Sequence, residues 1–227
     1  MESVVLSLGG SVLIKENEPD TSYMRALAKV LLEVSSRHKL YIVTGGGKIA
    51  RSYIKSGRSL GADETCLDEM GIEVTRLNAR LMIIALGDTA FHVPPKNYDE
   101  ALHAGRSRSI VVMGGVSPGI TTDAVSALLA ERVKAKRLVN ATSVDGAYTA
   151  DPKKDSSATR IPKMNHKELV ELVGTSPTGA GPNNVFDSVG ARVLERSKIE
   201  LAIVDGRSLS NLVEALEGRK FKGTLVS

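Results

Sequence analysis

At 227 residues, with 42% hydrophobic and 25% charged side chains, the chain has the balance of a soluble globular protein with one substantial core, or at most two small domains. Its 30 basic and 26 acidic residues are interspersed, the net charge is +4 and aromatics make up 4%, which argues against a nucleic-acid partner and favours small anionic substrates. The single cysteine, Cys66, excludes an internal disulfide, no apolar run has the length of a bilayer span, and "MESVVLSLGGS" lacks the basic start and long apolar centre of a secretion signal, so a cytoplasmic protein with no membrane partner is expected.

Short β-branched runs alternate with amphipathic stretches. In chain order the strands are expected at 3–8 (SVVLSL), 39–44 (KLYIVT), 108–113 (RSIVVM), 136–141 (KRLVNA) and 199–204 (IELAIV), with a weaker one at 89–94 (TAFHVP) and a terminal edge strand in GTLVS. The inner runs are apolar almost throughout, the pattern of a parallel sheet covered on both faces. Helices are expected at 21–37, 48–60, 71–86, 122–135, 188–198 and 208–218, with Thr122 or Asp123 capping the fourth and Gly218 stopping the last. The stretches 146–163 and 174–184 are too long for routine connections and read as mobile or functional loops. The fold class that follows is α/β: a three-layer α/β/α sandwich with a mainly parallel central sheet, formed as one domain over 1–227.

Three glycine clusters follow strands: Gly9-Gly10, Gly45-Gly46-Gly47 and Gly114-Gly115. Each falls at the carboxyl end of an expected parallel strand, where open α/β sheets bind ligands. A backbone without Cβ can approach a phosphate closely and aim successive N–H groups at it, and the helix that follows adds about 0.3–1 kcal/mol per anion contact. A single cluster would be ordinary turn chemistry. The second, "TGGGKIAR", is neither a P-loop, because Ile49 follows the lysine where Ser or Thr is needed, nor a dinucleotide fingerprint, because Ala50 fills its last position. The third opens "GGVSPGITTDA", rich in hydroxyls and with Gly119 after Pro118. Four scattered histidines show no metal spacing, and Cys66 reads as a packing residue.

"LGGS", "GGGKIAR", "GGVSPGITTDAVSALLAE" and "TSVDGAYTADPKKDSSATRI", in this order over nearly the whole chain, resemble the amino acid kinase superfamily and, within it, the uridylate (UMP) kinases of the archaeal type. The resemblance implies transfer of the γ-phosphoryl of ATP, with Mg2+ carried on it, to UMP. It implies an acceptor half near 1–135, an ATP half near 136–227, and a homo-oligomer, in this family a hexamer. It places Gly9, Gly10, Ser11 and Gly47 on the ATP phosphates, and Thr142, Ser143, Tyr148 and Asp151 around adenosine. On the acceptor it places Gly46, Asp68, Val116, Ser117, Pro118, Gly119, Ile120, Thr121 and Thr122. Arg51 reaches the phosphates where donor and acceptor meet. Many superfamily members carry a lysine two residues before the first glycine pair; Ser7 stands there in this chain. Lys48 and Arg51 are the leading replacements for that charge, with Lys15 and Lys163 further away. Other acceptors used on this fold (isopentenyl phosphate, carbamate, acetylglutamate, aspartate) and a non-catalytic nucleotide sensor or storage subunit remain open at this point.

Overall fold

The structure, a computed structural model, describes residues 1–150, 155–174 and 185–227. In chain order the elements are β1 (Glu2–Leu8), α1 (Gly10–Leu13), β2 (Ile14–Lys15), β3 (Glu18–Pro19), α2 (Thr21–Ser35), β4 (His38–Thr44), α3 (Gly47–Ser59) and α4 (Glu64–Leu86). They continue with α5 (Tyr98–Ser107), β5 (Ile110–Met113), α6 (Thr122–Arg132), β6 (Arg137–Thr142), β7 (Ala147–Tyr148), β8 (Arg160–Ile161), β9 (Lys163–Met164), α7 (His166–Gly174), α8 (Ser188–Ser197), β10 (Glu200–Asp205), α9 (Leu209–Glu217) and β11 (Thr224–Val226). Seven strands form the central sheet in the order β5-β4-β1-β6-β10-β11-β9. β5, β4, β1, β6 and β10 are parallel; β11 runs against its neighbour β10, and β9 runs parallel to β11.

Successive strand side chains point to opposite faces, and here both faces are buried. Val4, Leu6 and Leu8 of β1 pack with Leu27 and Leu31 of α2, Met82 of α4 and Leu216 of α9. Val5 packs on the other side with Val125 and Leu129 of α6 and Leu194 of α8. Two cores separated by one sheet make the three-layer sandwich that the apolar strand runs imply. Burying each such Leu or Val is worth roughly 1.5–3 kcal/mol, so the parallel strands have no stable solvent-facing alternative.

Several boundaries differ from the sequence-based expectation. α4 begins at Glu64 rather than at residue 71, capped by the Asp63 carboxylate, which accepts from the Cys66 amide at 2.9 Å. Gly71, which reads as a helix start, is interior: it faces α3, and a Cβ there would lie 3.2 Å from Ile54. Cys66 is exposed on this first turn rather than packed. The 89–94 run is not a strand. It holds only a bridge from Ala90 to Ile110, since Pro94 and Pro95 cannot donate to a ladder. α5 follows instead, started by Asn97, whose side chain accepts from the Glu100 amide at 2.9 Å. The terminal β11 is paired on both sides, and β9 is the edge. Gly218 ends α9 in the left-handed conformation at φ +70°, as expected.

Candidate functional site

β1 and β4 are parallel neighbours with Leu8 opposite Thr44, so the first two glycine turns leave the sheet side by side. The Gly45 amide donates to the Leu8 carbonyl and the Gly9 amide to the Ala141 carbonyl, each at 2.9 Å. A Cβ on Gly10 would land on the Gly47 backbone, and one on Gly45 would lie 2.5 Å from the Gly10 nitrogen. Gly47 itself sits at φ +65°, with the Gly10 carbonyl where its Cβ would be. Only glycine permits two turns to stack main chain against main chain in this way. Gly47 also opens α3, so its turn lies at the positive end of a thirteen-residue helix.

The third turn is fastened to α4. Thr75 Oγ1 accepts from the Gly115 amide at 2.7 Å, Thr44 Oγ1 donates to the Thr75 carbonyl at 2.9 Å, and Asn78 Nδ2 donates to the Gly45 carbonyl at 2.8 Å. Thr44, Thr75 and Asn78 are buried. Sequence reasoning passed over all three. The available signal was a pair of polar residues on the otherwise apolar inner face of α4, which a buried helix keeps only when each polar atom finds a partner.

The second and third turns, without Gly9, Gly10 or Ser11 of the first, enclose a cavity of about 550 Å³ lined by Gly46, Gly47, Arg51, Asp68, Ser117 and the run Gly119 to Thr122. Asp68 Oδ2 accepts from the Gly119 amide at 2.7 Å, and Gly119 takes φ +78°. Val116 and Pro118 line a neighbouring, more apolar groove together with Tyr53 and Leu77. Lys48 is exposed on the first turn of α3 and is not among the cavity's lining residues. The cap of α6 is Thr121, whose Oγ1 accepts from the Ala124 amide at 3.2 Å, rather than Thr122 or Asp123.

Asp123 is turned to another task. Ser7 alternates out of the β1 face that carries Leu6 and Leu8 and points towards α6, where its hydroxyl donates to Asp123 Oδ1 at 2.8 Å. Burial pushes the Asp123 carboxyl up to about 6; the Ser7 hydrogen bond opposes that shift and the nearby Asp187 adds to it. The position two residues before the first glycine pair is therefore filled by a hydroxyl–carboxylate pair. Of the more distant cations, Lys15 is exposed on the β2–β3 hairpin, and Lys163 stands on edge strand β9, far across the sheet from β1.

Thr142 ends β6 next to this turn, and a Cβ on Gly9 would lie 3.6 Å from its Cα. The Gly206 amide donates to the Thr142 carbonyl at 2.9 Å. Ser143 follows, exposed. Tyr148 donates its hydroxyl to Asp145 Oδ1 at 2.7 Å, and Lys222 and Arg160 approach Asp145 Oδ2 at 3.1 and 3.5 Å. Led by the Tyr148 hydrogen bond, these partners hold the Asp145 carboxyl below its usual range. Asp151 lies outside the described residues, as does most of the 174–184 loop.

Paired glycine turns at the carboxyl edge of a two-sided parallel sheet, with a carboxylate-anchored loop closing a cavity beside them, define the class of α/β/α proteins that present main-chain donors to an anionic ligand. The chain matches the family model described as amino acid kinase family over residues 2–205. It is 47% identical over 226 residues to a uridylate kinase of Methanoculleus marisnigri, covering 100% of this chain and 96% of that one. It is 46% identical to a uridylate kinase of Archaeoglobus fulgidus, covering 99% of each. The crystal structure of uridylate kinase from Archaeoglobus fulgidus superposes with a TM-score of 0.87 at 44% identity over the full length of both chains. A UMP kinase from Bacillus anthracis, 22% identical with a TM-score of 0.82, shares the fold. The chain belongs to the amino acid kinase family.

Proposed function

We infer that the protein is a UMP kinase, which transfers the γ-phosphoryl of ATP to UMP and releases UDP and ADP. One observation carries the reading at the level of the site: the main-chain-packed turns of β1 and β4 meet a cavity that also holds Arg51, Asp68 and the Ser117–Thr122 loop. Uridylate kinases at 45–47% identity over essentially the whole chain support the same acceptor.

In this reaction a UMP phosphate oxygen forms a bond to the γ-phosphorus as the bond from that phosphorus to the β,γ-bridging oxygen breaks, and the electron pair leaves with ADP. The acceptor oxygen already carries charge, so positioning and charge neutralisation do most of the work. In the proposed arrangement Gly9, Gly10, Ser11 and Gly47 hold the ATP phosphates, Gly46 faces the acceptor phosphate, and Arg51 bridges the two. Lys48 adds positive charge at the start of α3. Asp68 takes the acceptor ribose, and the loop from Val116 to Thr122 surrounds UMP. Thr142, Ser143, Tyr148 and Asp151 line the adenosine side, so 1–135 serves the acceptor and 136–227 the donor. Magnesium carried on ATP neutralises phosphate charge when bound. Such an ion commonly takes only one or two protein carboxylates, and Asp123, paired with Ser7, fits that need.

No helix among the described residues is long and apolar enough to cross a membrane; a cytoplasmic location is part of the proposal. The exposed Tyr53, Leu77 and Ile84 on α3 and α4 support self-association, with a hexamer as the expected assembly. ADP release with UMP, CMP, AMP and the small acids offered in parallel tests the assignment. UMP is expected to support the fastest release. Faster release with an acid would move the acceptor, and binding of UMP and ATP without turnover would leave a nucleotide sensor.

A further inference from the structure

A cluster of lysines that have no carboxylate partner among the described residues lies at the opposite edge of the sheet from the glycine turns. A cleft of about 750 Å³ opens where β6 and β10 begin and where α6 and α8 end. Lys134, Lys136, Lys167 and Lys198 line it, all exposed, and among the described residues none of the four ammonium groups has a carboxylate partner. The carboxylate side chain in the lining, Glu200, is taken up by Arg137 at 3.4 Å. Elsewhere on the surface Arg58, Arg132, Arg196 and Arg219 hold carboxylates.

The backbone at two of these lysines sharpens the contrast. α6 ends with the Ala135 amide on the Ala130 carbonyl at 2.8 Å and the Lys134 amide on the Glu131 carbonyl at 3.2 Å, a closure that puts Lys134 at φ +51°. α9 ends by the same closure with Gly218 in the equivalent place, which is the residue that adopts this conformation without steric penalty. Lys198 likewise ends α8 at φ +55°. At both positions facing the cleft the chain therefore carries a lysine where glycine would be the easier choice. Some of this charge complements the carbonyl ends of α6 and α8. That accounts for one cation at each helix end, and leaves Lys136 and Lys167 unexplained.

We propose that this cleft binds a compact polyphosphate anion, of the size of a nucleoside polyphosphate or inorganic tripolyphosphate. Its volume lies in the range of small-ligand sites, and four unpaired ammonium groups around one opening match a ligand with several negative oxygens and no single preferred orientation, which is the way lysine, a mobile point charge, contacts phosphate. β6 runs from the cleft to Thr142, so the bound anion sits about 20 Å from the glycine turns at one strand rise per residue. The site is thus separate from the one that holds the reacting phosphates.

The test is calorimetric titration of the full chain with inorganic tripolyphosphate while UMP and a non-hydrolysable ATP analogue saturate the glycine turns. One equivalent is expected to bind per chain, more weakly as salt is raised. K134G/K198G keeps, and eases, the left-handed backbone while removing two charges, and is expected to weaken binding roughly tenfold or more. K136Q/K167Q should do the same from the other side, and K29Q/K96Q, on α2 and before α5, should leave binding unchanged. A titration with no heat, or cleft variants that bind as the parent does, would overturn the proposal. So would K29Q/K96Q weakening binding as much as the cleft pairs. Repeating the titration with ATP or UTP in place of tripolyphosphate distinguishes a nucleoside polyphosphate from an inorganic one.

Discussion

The cavity around Asp68 and the cluster around Asp145, proposed above as the acceptor and donor sides, are built from different materials. The Asp68 cavity stands on packed backbone, with Gly47 against Gly10, and α4 holds the second turn through Asn78 on Gly45 and the third through Thr75 on Gly115 and Asp68 on Gly119. The proposed donor side, among the described residues, is made of side chains around one carboxylate, Asp145, which gathers Tyr148 and Arg160 from two-residue strands and Lys222 from the bend before β11. Close-packed main chain has almost no room to adjust, whereas charged side chains near solvent interact through a screened, adjustable field. The two halves should therefore fail differently when altered.

The largest effect is expected from Gly47→Ala, which places a Cβ on the Gly10 carbonyl at a backbone φ of +65°. A shift of this kind at a positioning loop costs on the order of a hundredfold in kcat, read in a coupled ADP assay on protein whose circular dichroism is native. A near-normal kcat would break the comparison at its strongest point. Arg51→Ala comes next, with kcat lowered roughly tenfold to a hundredfold, as for the loss of one charge-assisted contact in the transition state, and an unchanged melting temperature, since Arg51 is exposed. Asp68→Ala should raise the KM for UMP about tenfold and leave that for ATP nearly alone; equal changes in both would remove Asp68 from the acceptor side. Tyr148→Phe should raise only the KM for ATP, by about two- to fivefold, as suits one partly buried hydrogen bond.

The smallest effect sharpens the boundary between the halves. Asp123 titrates at about 6 in the fold against 3.8 outside it, so the folded state holds a proton there more tightly than the unfolded chain. Its contribution to stability is present below pH 4 and is lost as pH rises towards 6. The nucleotide-free protein and its Asp123→Asn variant should then diverge in Tm between pH 4 and 6, the variant becoming relatively more stable as pH rises. Parallel Tm curves would show that Asp123 is not held in this way.

Much of this was legible in order and type. Apolar runs predicted the five parallel strands because a doubly covered strand has no polar face to confuse the pattern, and the glycine clusters marked the carboxyl edge because turns after such strands are local. α5 was missed because its Asn97 cap and small Ala101 and Ala104 make a weak helical stripe. The start of α4 was misplaced because Gly71 reads as a breaker, although in the fold it is the small residue that lets α3 approach. Thr75, Asn78 and the Ser7–Asp123 pair carry no local signature, since each acts on a partner distant in the chain.

The order of amino acids by itself determined which segments become the five parallel strands, where glycine turns follow them, and which family the chain falls into, because these depend on periodicity and on conformational limits within a few residues. The tertiary structure alone decided that Gly10 and Gly47 touch, that Asp68 closes on Gly119, and that Ser7 binds Asp123 where a lysine could have stood. Those are contacts between segments 37 to 116 residues apart, and only the packing of the sheet with its two helical layers brings them within reach.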